Sequence, residues 1–336
     1  MKLRLGLSLF IALSVAACGG GDGKAFNGGG SLPGSGNTGL ALDAGNGKTA
    51  METAYAAARS TLDTSGLIGD GGVVNSPPSG VPKLRVPHAG YNDPLSTVLR
   101  VAADPLGPFT NNCLSSGTMM ISGDIADPVG GLSQNDTINV DYTDCDDGLG
   151  EVLTGRIEMI VDQFSGNILG SYILGMDVLM IDFTVGTAED TVISNGDALV
   201  SVNTQGLPVI SMSINGSSMQ MDSNTDTRLL TDYSTAQTID TSVQPEPYTL
   251  AAGGQVTSSQ LGGRLFYNTT VTFQGMAGSY PFAGELLVQG ETDGLIRLIA
   301  LDDMNVRLES DFDGDGTVDS TENTTWDDIA TFGAMP

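Results

Sequence analysis

Residues 311–322 concentrate five acids in twelve positions: Asp311-Phe312-Asp313-Gly314-Asp315-Gly316-Thr317-Val318-Asp319-Ser320-Thr321-Glu322. The spacing fits the calcium-loop pattern D-x-D-x-D-G-x5-E at every specified position. Its chemistry explains the residue types. Carboxylates at Asp311, Asp313 and Asp315 can converge on one hard cation because Gly316 permits the sharp turn. Thr317 offers a backbone carbonyl, Asp319 a water-mediated contact and Glu322 a bidentate closure. The expectation is a structural Ca2+ site of weak affinity. The competing reading is an acidic turn with no ion, since Asp and Gly are ordinary turn residues.

Cysteine supplies the second piece of chemistry. Lys2 and Arg4 precede a short apolar run over residues 5–15, and Val15-Ala16-Ala17-Cys18 then fits a lipobox. The run is about half of the ~20 residues a spanning helix needs, so it reads as a cleaved signal. Residues 1–17 are therefore expected to be removed and Cys18 to carry lipid. No later stretch is long and apolar enough to cross a membrane as a helix. That leaves Cys113 and Cys145, an even pair in an oxidising compartment, as an expected disulfide; two free thiols are the alternative. Such a bridge contributes ~3–4 kcal/mol in the chain-entropy account.

Catalytic chemistry finds little support. The single histidine, His88, lies in a Pro-rich stretch, and no G-x-S-x-G or histidine cluster occurs. Carboxylate pairs are plentiful enough for a glycosidase-type acid pair. Aromatic residues make up only 6% with one Trp, however, which is thin for a cleft that stacks sugars. A second acidic patch, Asp141, Asp144, Asp146 and Asp147 around Cys145, has Asp124, Asp127 and Asp136 nearby; Pro128 and Val129 stand where ligands are wanted.

Charge narrows the partners. Losing residues 1–17 removes Lys2 and Arg4 and no acid, so the net charge of −27 becomes −29. Nucleic acid and anionic headgroups share that sign, which excludes them as direct electrostatic partners, and self-repulsion favours a monomer. Hydrophobic content of 40% still allows a core.

The elements that must position these residues follow from texture. Residues 18–48 form a tether, with 12 glycines in the 29 residues from 19 to 47, whose root-mean-square reach is ~30 Å. Residues 49–112 read as a helical and loop segment. Thr49-Ala50-Met51-Glu52 resembles a capping box, with Met51, Tyr55, Ala58 and Leu62 on one face. A second short helix is expected over residues 93–102, opened by Asp93-Pro94. Residues 113–336 form the β domain. Strands are expected at 117–125, 136–143, 152–164, 169–185, 190–203, 207–222, 227–243, 247–258, 263–274, 284–290, 294–301 and 304–310. Residues 324–326 also read as strand, so the acidic loop belongs to a β-hairpin rather than an EF-hand. The fold class is mainly β: an antiparallel meander forming a barrel, a half-barrel or a strongly curved sheet, with two short N-terminal helices. Acids interrupt most strands, which argues against an outer-membrane barrel. Methionines such as Met119, Met159, Met176 and Met219 fall in the strands, as core or as the lining of an apolar cavity.

Cys113 with Ser116-Gly117-Thr118, Leu132-Ser133 with Asp136, Cys145 with Gly155, and the stretches 281–288, 296–309 and 311–326 together resemble a group of uncharacterised proteobacterial outer-membrane lipoproteins. The resemblance covers about a third of the chain and implies location and fold, with no known activity. Gly19 after Cys18, rather than Asp, implies by the same likeness passage to the outer membrane of a Gram-negative envelope. The expected function is a membrane-anchored structural or binding module braced by calcium. A periplasmic carrier of lipid or another apolar ligand is the alternative, and an enzyme acting on envelope polymers ranks third. The expected partners are the membrane through the lipid and an apolar ligand or envelope protein. Trp326, four residues beyond Glu322, is expected to sense an ion bound in the loop.

Overall fold

The computed structural model describes residues 39–65, 106–126, 132–146, 152–167, 171–186, 191–292 and 294–330. Cys18, His88 and the helix expected over 93–102 lie outside these residues, as do Asp127 and Asp147.

One helix precedes the sheet: α1, Gly47–Ser65. Fourteen strands follow. They are β1 Leu106–Asn112, β2 Ser116–Asp124, β3 Thr137–Asp146, β4 Val152–Gly166 and β5 Tyr172–Gly186. Next come β6 Thr191–Asn203, β7 Val209–Asp222, β8 Thr227–Asp240, β9 Pro247–Ser258 and β10 Gly263–Met276. The last are β11 Ala283–Gln289, β12 Leu295–Ala300, β13 Asn305–Asp311 and β14 Ser320–Thr325, and a five-residue helix, α2 Trp326–Ala330, ends the described chain. Each strand pairs antiparallel with its neighbour in sequence, in the order β1 to β14. The sheet is a curved, open meander, not a closed barrel.

Alternation places the core. In β4, Ile157, Met159 and Val161 are buried while Glu158, Ile160 and Asp162 face the other way. Met119, Met159, Met176, Met180 and Met219 are all buried in the continuous core, whereas Met120 is exposed.

Two devices bend the strands. Asp144, Asp182 and Asp232 adopt left-handed φ of 47°, 47° and 49°. Each falls at a register shift, between Tyr142 and Cys145, Met180 and Phe183, and Thr231 and Ser234. Asp tolerates that conformation better than most residues, and a bulge adds local twist. The second device lays an aromatic ring over a glycine across the ladder: Tyr233 over Gly216, Tyr248 over Gly275 and Phe273 over Gly284. A Cβ on Gly216 would meet the Tyr233 ring and hydroxyl at 2.2 Å.

The helix shows how far the sheet curls. α1 lies against β7, β8, β9, β10, β11, β12 and α2. Six flat strands would be ~24 Å wide, about twice a helix diameter, so reaching all six requires the sheet to wrap. Ala50, Met51, Thr53, Ala54 and Ala57 are fully buried, and Glu52, Tyr55 and Ala58 nearly so. Small alanines on several sides are what a helix enclosed by strands needs.

Four sequence expectations are corrected. The helix begins at Gly47 rather than after a Thr49 cap: Asp43 Oδ1 accepts from Gly45 and Asn46 N–H, and Ala50 N–H donates to Asn46 O. Residues 106–112, read as loop, form β1. Residues 320–325 form a fourteenth strand, and Trp326 opens a helix instead of ending a strand. Thr325-Trp326-Asp327-Asp328 caps that helix: Asp328 N–H donates to Thr325 Oγ1, and Asp328 Oδ2 accepts from the Thr325 hydroxyl.

Candidate metal centre

The hairpin of β13 and β14 carries the acidic loop. Its ladder runs from Asn305↔Thr325 to Ser310↔Ser320, so the loop hangs from Asp311, the last residue of β13. Asp311 is buried, and Asp313 and Asp315 are exposed. Ligand oxygens of these three carboxylates all lie within 4.8 Å of one another. Two oxygens on one Ca2+ at 2.3–2.6 Å can be at most about 5 Å apart, so the trio fits the shell of a single cation. The cluster could hold a metal ion, and its geometry does not distinguish calcium from other hard cations.

Local hydrogen bonds form the cradle. Asp311 accepts from Gly314 N–H through Oδ1 at 2.8 Å and from Gly316 N–H through Oδ2 at 2.9 Å. Asp313 Oδ1 accepts from Asp315 N–H at 3.2 Å, and Asp315 Oδ1 from Thr317 N–H at 2.7 Å. Each carboxylate is thus oriented by an amide further along the loop. Gly316 has φ +86° with open space where a Cβ would stand, so its requirement is conformational, not steric.

The remaining expected ligands are placed differently. Asp319 Oδ2 accepts from Phe312 N–H at 2.8 Å and Asp319 N–H donates to Ser310 O, so this residue closes the neck of the loop. Glu322 pairs with Leu308, two residues along β14. Among the described residues neither belongs to the carboxylate trio. In an EF-hand a helix returns the twelfth residue to the ion. Here an extended strand carries it ~7 Å onward at ~3.3 Å per residue. Glu322 instead acts on Glu52 of α1, whose carboxyl is pushed up to about 7. Burial is the main cause and the charges of Asp328 and Glu322 add to it, against the opposing Lys48.

Trp326 is also remote from the loop. It sits at the other end of the hairpin, about six strand residues or ~20 Å away. There it is fully buried, and its Nε1–H donates to Pro281 O at 2.9 Å and Asp302 O at 3.1 Å. Tyr280 stacks on it at 5.6 Å, and Tyr55 and Phe273 pack at 5.1 and 6.1 Å. Trp326 joins α1, α2 and two loops, so it reports the core rather than the ion.

The disulfide joins Cys113, before β2, to Cys145 in β3, with Cα atoms 5.3 Å apart. The second acidic patch disperses. Asp141 reaches Arg156 at 3.8 Å, Asp144 occupies its bulge, and Asp136 is buried with its oxygens taken by Ala126 and Ser133 N–H. Sequence reasoning missed a further buried carboxylate, Asp226. It accepts from Arg228 Nε at 2.7 Å, from the Ser258 and Ser259 hydroxyls, and from Gln260 N–H. Burial acts to raise its carboxyl, but the Arg228, Ser259 and Gln260 bonds outweigh it and hold it below the ordinary range. Its sequence signal, a turn Asp between two strands, is shared by many neighbours.

The chain enters the sheet at the loop end. Glu291 N–H donates to Leu40 O, Leu40 N–H donates to Glu291 Oε2, and Gly47 lies against Ile296 and Phe312. Among the described residues no helix is long and apolar enough to cross a membrane.

Fold and site together define an open, curled antiparallel β module with an enclosed helix and a carboxylate cradle. The chain matches no protein-family model, no curated protein and no solved structure.

Proposed function

We propose that this chain is a membrane-anchored lipoprotein of a Gram-negative outer membrane, held through Cys18, whose β domain is a structural or binding module braced by calcium. The observation that carries this reading is the enclosed helix. The trough of β7–β12, where a carrier would hold apolar cargo, is taken by Ala50, Met51, Ala54, Tyr55 and Ala57. A filled trough favours a rigid module over the transport of lipid. The lipobox and glycine tether supply the anchor.

The test uses the full chain in two arms. Palmitate labelling should mark the wild type and be lost in Cys18→Ser; unlabelled wild type ends the anchor reading. For the ion, a dissociation constant of 10⁻⁴–10⁻³ M at 10 mM calcium predicts about 1.4–2.7 kcal/mol of added stability, abolished in Asp313→Asn/Asp315→Asn. Calorimetry showing neither heat nor a shifted unfolding midpoint would sink the calcium reading. Trp326 is too far from the loop to serve as a lanthanide antenna, so the measurement must be calorimetric.

A further inference from the structure

An open sheet has two edges, and this one guards them unequally. β1 carries Pro108, which has no N–H, inside a bulge between Leu106 and Phe109. Both features discourage strand addition. β14 has neither. Its ladder to β13 is regular from Ser320 to Thr325, and Trp326 N–H donates to Met304 O where it ends. Antiparallel bonds alternate, so this phase commits Ser320, Glu322 and Thr324 to β13. The N–H and C=O of Thr321 and Asn323 therefore point away from the sheet, and among the described residues no protein group bonds them. Five of the six β14 residues are exposed and Thr324 is half-buried, so among the described residues nothing covers this edge.

Charge selects the occupant. From Glu309 to the C-terminus the sequence holds eight acids and no Lys, Arg or His. A second copy would bring that stretch against itself, and an apolar strand would find only Ser, Thr, Glu and Asn side chains. We propose that β14 accepts an extended, lysine-rich segment of another protein as a fifteenth strand, the backbone of Thr321 and Asn323 supplying the ladder and Glu322 and the flanking acids the attraction. This is the strand-addition mode of recognition, with backbone bonds for affinity and charge for selection. It goes beyond the cation reading and does not depend on it.

The experiment uses the mature chain at low salt with EDTA, which removes any contribution from a bound cation. The probe is acetyl-(Lys-Thr)4-amide; the same peptide N-methylated at every residue carries the same charge and has no backbone N–H for a ladder. Expected are binding of the first at least tenfold tighter than the second, and at least tenfold slower amide exchange at Thr321 and Asn323 when it is bound. Asn323→Pro or Thr321→Pro should cost tenfold or more, since each removes only an outward N–H, with Trp326 emission verifying the fold. If a proline variant unfolds, exchange in the wild type decides. Equal binding of the two peptides, or unchanged exchange, overturns the proposal. Concentration-dependent dimers that protect the same amides would assign the edge to a second copy and overturn it too.

Discussion

Glu52 makes stability depend on pH in a window where few other groups titrate. Its carboxyl lies on a buried residue of α1 and is raised from 4.5 to about 7. A raised value means that the folded state holds the proton more tightly than the unfolded chain. The stabilisation is complete below about pH 4.5 and is lost as pH rises through about 7. A rise of about 2.5 pKa units corresponds to about 3.4 kcal/mol as a ceiling. Water reaches part of the carboxyl and Lys48 lies one helical turn away, so screening reduces the expected effect to about 1.5–2 kcal/mol.

The perturbation is Glu52→Gln, which keeps the shape and removes the charge. The assay is urea unfolding followed by Trp326, the one tryptophan and a fully buried one, from pH 4.5 to 8 at fixed ionic strength. Wild type should lose about 1.5–2 kcal/mol across that range and Glu52→Gln should be nearly flat, the two curves converging at the acid end. Every other titratable group is present in both proteins, so the difference curve isolates Glu52. Raising salt should weaken the part due to Asp328 and Glu322 and leave the larger, burial-driven part. Parallel curves for the two proteins would refute the reasoning, whatever their absolute stabilities.

Two further substitutions test how the sheet is held. Gly216→Ala drives a methyl into Tyr233, whose hydroxyl donates to Asp197 O, so overpacking plus a weakened bond should cost about 2–4 kcal/mol by urea midpoint; under about 0.5 kcal/mol would show that the ring moves freely. Asp226→Asn leaves Arg228 without its carboxylate and should cost about 2–4 kcal/mol at pH 7. Because the native carboxyl is held low, wild type should keep this contribution above about pH 4 and lose it as acid protonates Asp226, so the two proteins should converge in an acid titration. An undiminished gap at low pH would count against the network.

Twelve strands were legible because each has a buried face to alternate with. β1 was not, and of β14 only its end at residues 324–325 was, although the hairpin itself was expected. Leu-Gly-Pro-Phe-Thr-Asn-Asn and Ser-Thr-Glu-Asn-Thr-Thr are edge strands, where exposure on both sides or a bulge erases the period of two. The carboxylate trio was legible from spacing alone, since a turn brings residues 311, 313 and 315 together whatever flanks it. Glu322 was not, because the motif presumes a returning helix that this chain replaces with β14. The settings of Glu52 and Asp226 involve Glu322 and Ser258, 270 and 32 residues away, which no local pattern encodes. The capping box at Thr325 was readable but was masked by the β-branched threonines before it.

The last hairpin is where these threads meet. β14 pairs with a single strand, is six residues long and packs almost no side chain into the core. A strand so placed draws little from burial and would fray if its ends were loose. Both ends are held, by different chemistry. At one, Asp311 and Asp319 pin the loop through backbone amides, and a cation would draw Asp313 and Asp315 onto the same point. At the other, the Thr325–Asp328 cap leads directly into Trp326, locked between Tyr280 and Tyr55. An edge clamped at both ends can keep Thr321 and Asn323 presented to solvent without melting. Asp311 and Asp319 hold the loop end through backbone amides without any ion, so the edge stays presented whether or not a cation binds, while Trp326 fixes the opposite end in the core.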